Sequence, residues 1–266
     1  MGVKTPIALH EVHALFPSYN FTKITPTKEG VMDTTYIVET ASCAYILKKY
    51  EREVEGKLVT QKALLKLLSA ANLNTPKFLE QNDGWYLYTK LEGKIPQYIK
   101  LQQLQTLARF MAEFHNISKD FRPSSTFLEN YEIEEMLSFA KQNYFVYYKK
   151  FASLQGLHQN NEGFIHGDMF RDNTLFADNK IAVFDFIDGG LGEFSFDLGV
   201  ALLSFNPHKR ASYTKIFLQS YNQKAKKKIS YQKLQEQLQI AAKFYALLRL
   251  VSDNSVKRMQ KLVKFC

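Results

Sequence analysis

In the stretch GFIHGDMFRDNTLFADNKIAVFDF, Gly163 to Phe186, aspartates, an asparagine and a histidine crowd between two runs of β-prone apolar residues. Asp168 and Asn173 lie five residues apart, so one loop can present both to a single point just before the strand TLF. The turn ADNK folds that strand against IAVF and returns Asp185 to the side of Asn173. An aspartate and an asparagine that converge in this way are hard oxygen ligands suited to Mg²⁺, which keeps several waters and shares the rest of its shell with phosphates. Asp168 is then left to orient a hydroxyl and accept its proton. That set of groups is what phosphoryl transfer requires. A hairpin whose aspartates merely cap turns would leave Asp168 and Asp185 beside apolar strands with no task.

The same chemistry needs a turn that holds phosphates and a cation that pairs with them. KEGVMDTTY, Lys28 to Tyr36, supplies Gly30, Thr34 and Thr35, whose backbone and hydroxyl groups can face phosphate. AYILKKY offers Lys48 and Lys49, which strand alternation sends to opposite faces, so only one of them points at a ligand.

These groups have to be positioned by the elements around them. The first ninety or so residues alternate between strand and helix signals: FTKITPTKEG, TTYIVET, AYILKKY, TPKFLE and GWYLYTK read as strands, and GKLVTQKALLKLLSAAN carries leucines at helical spacing. From Pro96 onward the pattern is mainly helical, in LQQLQTLARFMAEFHNI, EEMLSFAKQNYFVYYKKFASL, FDLGVALLSF, YTKIFLQSYNQ and YQKLQEQLQIAAKFYALLRLVS, with the polar hairpin among them. TKLEGKIPQ, with Gly93 and Pro96, is the connector. The expectation is an α+β chain of two lobes. Residues 1–90 form a small nucleotide-binding lobe with an antiparallel sheet plus a helix, and residues 91–266 a larger, mostly helical lobe for catalysis and acceptor binding.

Composition narrows the setting. The chain has 266 residues, 45% of them hydrophobic, which excludes a disordered or collagen-like protein. Cys43 and Cys266 have no metal-site or disulfide spacing. No leader or membrane-spanning pattern is visible, so the expected location is cytoplasmic. The net charge of +9 suits anionic ligands such as nucleotide phosphates. Its densest run, NQKAKKKISYQK at Asn222 to Lys233, lies between helical patterns without aromatic or arginine platforms, so it reads as a solvated linker and not as a nucleic-acid surface.

The order His-x-Asp-(x)4-Asn, strand pair, Asp resembles the catalytic and metal-binding loops of the protein-kinase-like superfamily. HGD together with DFIDGGLGEFSFDLG is similar to the aminoglycoside-phosphotransferase branch of small-molecule kinases. There the second metal motif is followed twelve residues on by an aspartate, here Asp197, which either braces the catalytic loop or caps a helix. The resemblance implies a two-lobed protein-kinase-like fold that uses ATP and Mg²⁺, with Asp168 catalytic and Asn173 and Asp185 on the metal. By family position it favours Lys48 over Lys49 for the α and β phosphates. The acid that holds the lysine would come from Glu51, Glu53 or Glu55, with Glu55 matching best by its offset from LNTPKF. His166 would brace its loop through backbone hydrogen bonds.

Within that branch, HGDMFRDNTLF and GVMDTTY look like the loops of bacterial kinase-fold homoserine kinases, which read HADLFPDNxLF and GVENSNY. LEGKIP and FYALLRL are similar to that family's connector and closing segment. Gly167 replaces Ala, Arg171 replaces Pro, and DFIDGGLGEF departs from DFYFACNDFLL. The implied acceptor is L-homoserine, a step of threonine biosynthesis. Its carboxylate would meet Arg249 or Arg171, and its ammonium Asp188 or Glu193. A choline or ethanolamine kinase is the runner-up, with the aromatics of NYFVYYKKF, Asn143 to Phe151, as a cation box. A nucleotide-binding pseudokinase without turnover is the alternative of another class, but it would have no use for Asp168, Asn173, Asp185 and Lys48 together. No membrane partner is expected.

Overall fold

A computed structural model describes residues 3–27 and 33–266. Gly30, expected in the phosphate turn, lies outside the described residues. The chain divides into one unit ending at Glu92 and another beginning at Gly93.

The first unit opens with a short helix, α1 (Leu9–Leu15). The strands β1 (Lys23–Pro26), β2 (Thr34–Glu39) and β3 (Ala44–Lys49) follow, then a helix, α2 (Glu55–Ala70), then β4 (Phe78–Asn82) and β5 (Trp85–Thr89). The five strands form one antiparallel sheet in the order β1-β2-β3-β5-β4. Period-two alternation gives the sheet two distinct faces. Tyr36, Val38, Leu47, Trp85 and Leu87 are buried with Val12 of α1, Phe16 and Phe21 in one core. On the other face, α2 turns inward Leu58, Gln61, Leu64, Leu65 and Leu68 at helical spacing. The buried Gln61 amide donates to the hydroxyls of Tyr50 and Tyr88, both at 3.1 Å, which satisfies a polar group inside an apolar layer.

In the second unit, α3 (Leu101–Ser118), α4 (Ile133–Asn143) and α5 (Phe145–Phe151) precede the short strand β6 (Gly163–Ile165). The hairpin β7 (Thr174–Ala177) and β8 (Lys180–Val183) follows, then β9 (Gly190–Gly192). The helices α6 (Phe194–Phe205), α7 (Ala211–Lys224), α8 (Tyr231–Val251) and α9 (Val256–Val263) complete it. β6 pairs with β9 and β7 with β8, both antiparallel. α6 is buried on nearly every side, as its apolar sequence requires, and packs on α8, while α3 packs on α7.

Two helical readings change. The single helix expected over EEMLSFAKQNYFVYYKKFASL breaks at Tyr144, whose φ of −139° is not helical. The Asn143 amide donates to Phe139 O at 2.9 Å, a side-chain bond that competes with helix continuation. The sequence reading had no helix at α9, which begins where Ser255 Oγ accepts the Arg258 N–H at 3.3 Å. At the start of this unit Gly93 has φ +118°, and a Cβ there would lie 2.9 Å from the Phe176 backbone. Only glycine lets the chain come close enough for Lys94 and Phe176 to exchange backbone hydrogen bonds of 3.0 and 2.9 Å, which tie the connector to β7.

Candidate active site

The polar hairpin is held in place before any ligand arrives. Asp197, fully buried in the first turn of α6, accepts the His166 N–H at 3.1 Å and the Gly167 N–H at 2.8 Å. His115 of α3 sits 3.0 Å from the same carboxylate through Nε2, and its Nδ1 is 3.0 Å from the Tyr221 hydroxyl of α7. Since a carboxylate only accepts, Nε2 carries a proton. Asp197 therefore braces the loop. The helix N-cap is Glu193 instead.

His166 is likewise a brace, as expected. Its Nε2 is 2.9 Å from Phe184 O, and its Nδ1 accepts the Asp168 N–H at 3.2 Å, so the buried ring joins the catalytic loop to the end of β8. The Tyr245 hydroxyl of α8 donates to Gly167 O. Gly167 itself has φ +73°, and a Cβ would fall 2.0 Å from the Phe127 ring. A phenylalanine thus fills the space that a methyl group at position 167 would need.

Beyond this brace the chain presents its oxygens. Asn173 Nδ2 donates to Asp168 O at 2.8 Å and to Asp168 Oδ2 at 2.9 Å, which leaves the amide oxygen Oδ1 as the group's acceptor. The Phe184 N–H donates to Asn173 O at 3.1 Å, so the hairpin does return Asp185 to Asn173. Asp185 has φ +66°, a left-handed conformation that costs a non-glycine residue about 1 kcal/mol or more and that clusters at functional sites. The carboxyl of Asp168 is pushed up to about 7, chiefly by burial, then by the nearby negative charges of Asp185 and Asp172. Arg249 and the Asn173 amide pull it the other way. Two carboxylates that repel in a desolvated place form a site that favours a bound cation. Among the described residues no group of three or more His, Cys, Asp and Glu could hold a metal. The donors that fit Mg²⁺ are Asn173 Oδ1 and Asp185, a set with room for phosphate oxygens and water.

In the first unit the sheet register decides which phosphate candidates share a face. Thr35 pairs with Lys48, and Lys48 with Tyr86. Directly opposed residues project to the same side, so Thr35 and Lys48 are neighbours. Lys49 pairs with Trp85 on the other side, its ammonium 5.5 Å from that ring. Thr34 departs from the expectation. It is fully buried, and its Oγ1 accepts the N–H groups of Lys4 and Thr5 at 2.8 and 3.0 Å and donates to Glu51 Oε1 at 2.5 Å. That hydroxyl is committed within the protein. Thr34 foremost, and Thr5 as well, hold the Glu51 carboxyl below the ordinary range through hydrogen bonds, against the opposing pull of burial.

Glu55 also departs from the expectation. It is exposed in the first turn of α2, whereas Asp33, among the described residues, does lie beside Lys48, at 3.3 Å. The sequence reading missed Asp33 although parity points to it. Asp33 lies two residues before Thr35 and so on the Lys48 side of the sheet.

The acceptor candidates separate. Arg249, on α8, is close enough to lower Asp168, and its guanidinium lies 3.5 Å from Asp253. Arg171 points elsewhere, its Nη1 donating to Gln97 O at 3.1 Å while its backbone N–H donates to Ser204 Oγ. That bond takes up one of the five guanidinium N–H donors. Asp188 is half-buried just past Asp185, and its carbonyl accepts from Asn130 Nδ2 at 3.3 Å. Glu193 is taken up by Lys233 at 2.9 Å and by Asn160 and Ser195. Burial alone would raise its carboxyl, but these partners, Lys233 first, hold it below the ordinary range. In the aromatic segment the chain's own cations approach two of the rings, Lys149 lying 5.2 Å from the Phe145 ring and Lys141 5.9 Å from that of Tyr148. No helix among the described residues is long and apolar enough to cross a membrane.

Comparison with known proteins bears on the family and the fold. The model of the phosphotransferase enzyme family matches residues 23–236. A homoserine kinase of Methylocella silvestris is 29% identical over 229 residues, which cover 76% of this chain and 71% of the relative. Among solved structures, an amicoumacin kinase in complex with AMP-PNP, Ca²⁺ and Ami superposes with a TM-score of 0.76 at 16% identity, covering 97% of this chain and 90% of the other. A choline kinase of Streptococcus pneumoniae gives a TM-score of 0.66 at 15% identity, with 96% of each chain covered. The fold is the α+β kinase-like one that the sequence led us to expect.

Proposed function

Given that the chain belongs to the phosphotransferase enzyme family, we propose that it uses ATP and Mg²⁺ to phosphorylate the hydroxyl of a small molecule, L-homoserine, in the cytoplasm. The observation that carries this reading is the half-buried Asp168, fixed by Asn173 and raised to about 7. A base is most effective when its proton affinity lies near the working pH. The homoserine hydroxyl oxygen forms a bond to the γ-phosphorus while the bond from that phosphorus to the β-bridging oxygen breaks. The hydroxyl proton passes to Asp168, and the products are ADP and O-phosphohomoserine. Bound at Asn173 and Asp185, Mg²⁺ supplies charge neutralisation for the phosphates. Lys48 pairs with the α and β phosphates, and Thr35 and the Gly30 turn line the phosphate chain.

The acceptor follows from two supports. The Methylocella silvestris relative carries the name homoserine kinase, and HGDMFRDN and GVMDTTY resemble the loops of such enzymes. Arg249 faces the homoserine carboxylate and Asp188 its ammonium. Glu193 is withdrawn from that role because Lys233, Asn160 and Ser195 take up its carboxylate.

An ADP-release assay across L-homoserine, choline, ethanolamine, methylthioribose and an aminoglycoside tests this by ranking acceptors on kcat/KM. We expect homoserine to lead, and Arg249→Ala to raise its KM about tenfold, as the loss of a charge-assisted contact should, with the KM for ATP unchanged. Choline ahead by about tenfold would reject homoserine. No turnover with any acceptor would favour a nucleotide-binding module.

A further inference from the structure

We propose that Asp33, and not a glutamate of the following helix, is the acid that positions Lys48, so that the phosphate turn itself carries the counter-ion of the phosphate-binding lysine. This rests on the kinase reading above. Asp33 Oδ2 lies 3.3 Å from Lys48 Nζ, and the two side chains are only 6% and 14% exposed. The other carboxylate oxygen is also engaged, accepting the Glu51 N–H at 3.3 Å with Arg52 Nε 3.8 Å away. With Oδ1 tied to the backbone after β3, Oδ2 has one direction left, toward the lysine. Lys48 Nζ also lies 4.6 Å from the Tyr50 ring, so an anion and an aromatic face together limit a flexible side chain.

The glutamates do not compete for this place. Glu51 gives its carboxylate to Thr34 and Thr5, and Glu53 and Glu55 are exposed. Asp33 touches neither phosphate nor acceptor in this scheme; it is a positioning residue. Its position also has a consequence for binding. An acid at the end of the phosphate turn neutralises Lys48 until nucleotide phosphates offer a stronger anion, so its removal should disturb the orientation of the lysine more than the attraction of nucleotide.

Asp33→Asn keeps the size of the side chain and an acceptor for the Glu51 N–H while removing the charge. We expect it to lower kcat about tenfold, within the range for coupled charged neighbours, with the KM for ATP not raised, and Asp33→Glu to recover part of the loss. In a Lys48→Ala background Asp33→Asn should change kcat less than about twofold, since the group it positions is gone. A residue that merely supports the turn would cost the same in both backgrounds and would lower the thermal midpoint.

A second arm needs no acceptor. Acetylation of Lys48 by acetic anhydride, read by mass spectrometry against Lys49, should rise about threefold or more in Asp33→Asn, because removing an anion 3.3 Å from a largely buried amine makes it lose its proton more readily. An unchanged Lys48-to-Lys49 ratio, or an equal kcat loss in both backgrounds, overturns the proposal. If the labelling responds but no acceptor supports turnover, it is the kinase reading that fails.

Discussion

Lys48 and Asp168 are both largely buried charged groups, and they live under opposite electrostatic regimes. Lys48 has an acid 3.3 Å away and an aromatic face beside it. Asp168 faces the negative charges of Asp185 and Asp172, partly offset by Arg249. The first arrangement is satisfied by the protein alone, whereas the second is frustrated until a cation arrives. On the proposed reading the small unit thus keeps Lys48 in reserve for phosphates, while the large unit stores a penalty that a bound cation would relieve. The brace around the loop makes this possible, for without Asp197, His115 and Tyr245 the like charges could simply move apart.

The largest effect should come from the frustrated side. Asp185→Asn retains a residue that tolerates the left-handed backbone but removes the anionic ligand. We expect turnover to fall by on the order of 10³ and Mg²⁺-dependent nucleotide binding, followed by calorimetry, to be lost. Near-normal Mg²⁺-dependent binding would show that the metal is held elsewhere.

Asp168→Asn should lose a factor on the order of 10² in turnover while still binding Mg·ATP. Its stability has a definite sign. A carboxyl raised to about 7 in the folded chain binds its proton more tightly than in the unfolded chain. Its stabilising contribution is therefore complete at acid pH and disappears as pH rises through 7. In Mg²⁺-free buffer the variant should gain thermal stability over the parent between pH 5 and pH 8, by at most about 3 kcal/mol. A gain that does not depend on pH would mean that the charge on Asp168 is not the stored penalty.

The smallest effect belongs to the satisfied side. Glu55→Ala should change kcat/KM less than about twofold, as expected for an exposed helix residue. A loss of tenfold would restore Glu55 as the partner of Lys48 and break the contrast.

What could be read directly from the residues was mainly local. Asp168, Asn173 and Asp185 converge because a short loop and a tight hairpin leave them few other places, and the leucine spacing of α2 and the apolar run of α6 appear as helices. Strand alternation separated Lys48 from Lys49 for the same reason. The errors lie where a side chain had a choice of partners. Thr34 was taken to face phosphate, yet the segment at Lys4 and Thr5 and the carboxylate of Glu51 claim it. The break at Tyr144 was hidden because the apolar pattern continues through it.

The sequence by itself determined the order of elements and the oxygen chemistry of the hairpin, since both depend on residues within a turn or a strand pair of one another. Only the tertiary structure decided that Asp197 and His115, from two distant helices, brace the loop, and that Phe127 occupies the space at Gly167. It also decided that Asp33 rather than Glu55 meets Lys48. The physical reason is that a buried polar group must find a partner, and which partner lies within hydrogen-bond reach depends on how segments far apart in the chain are packed.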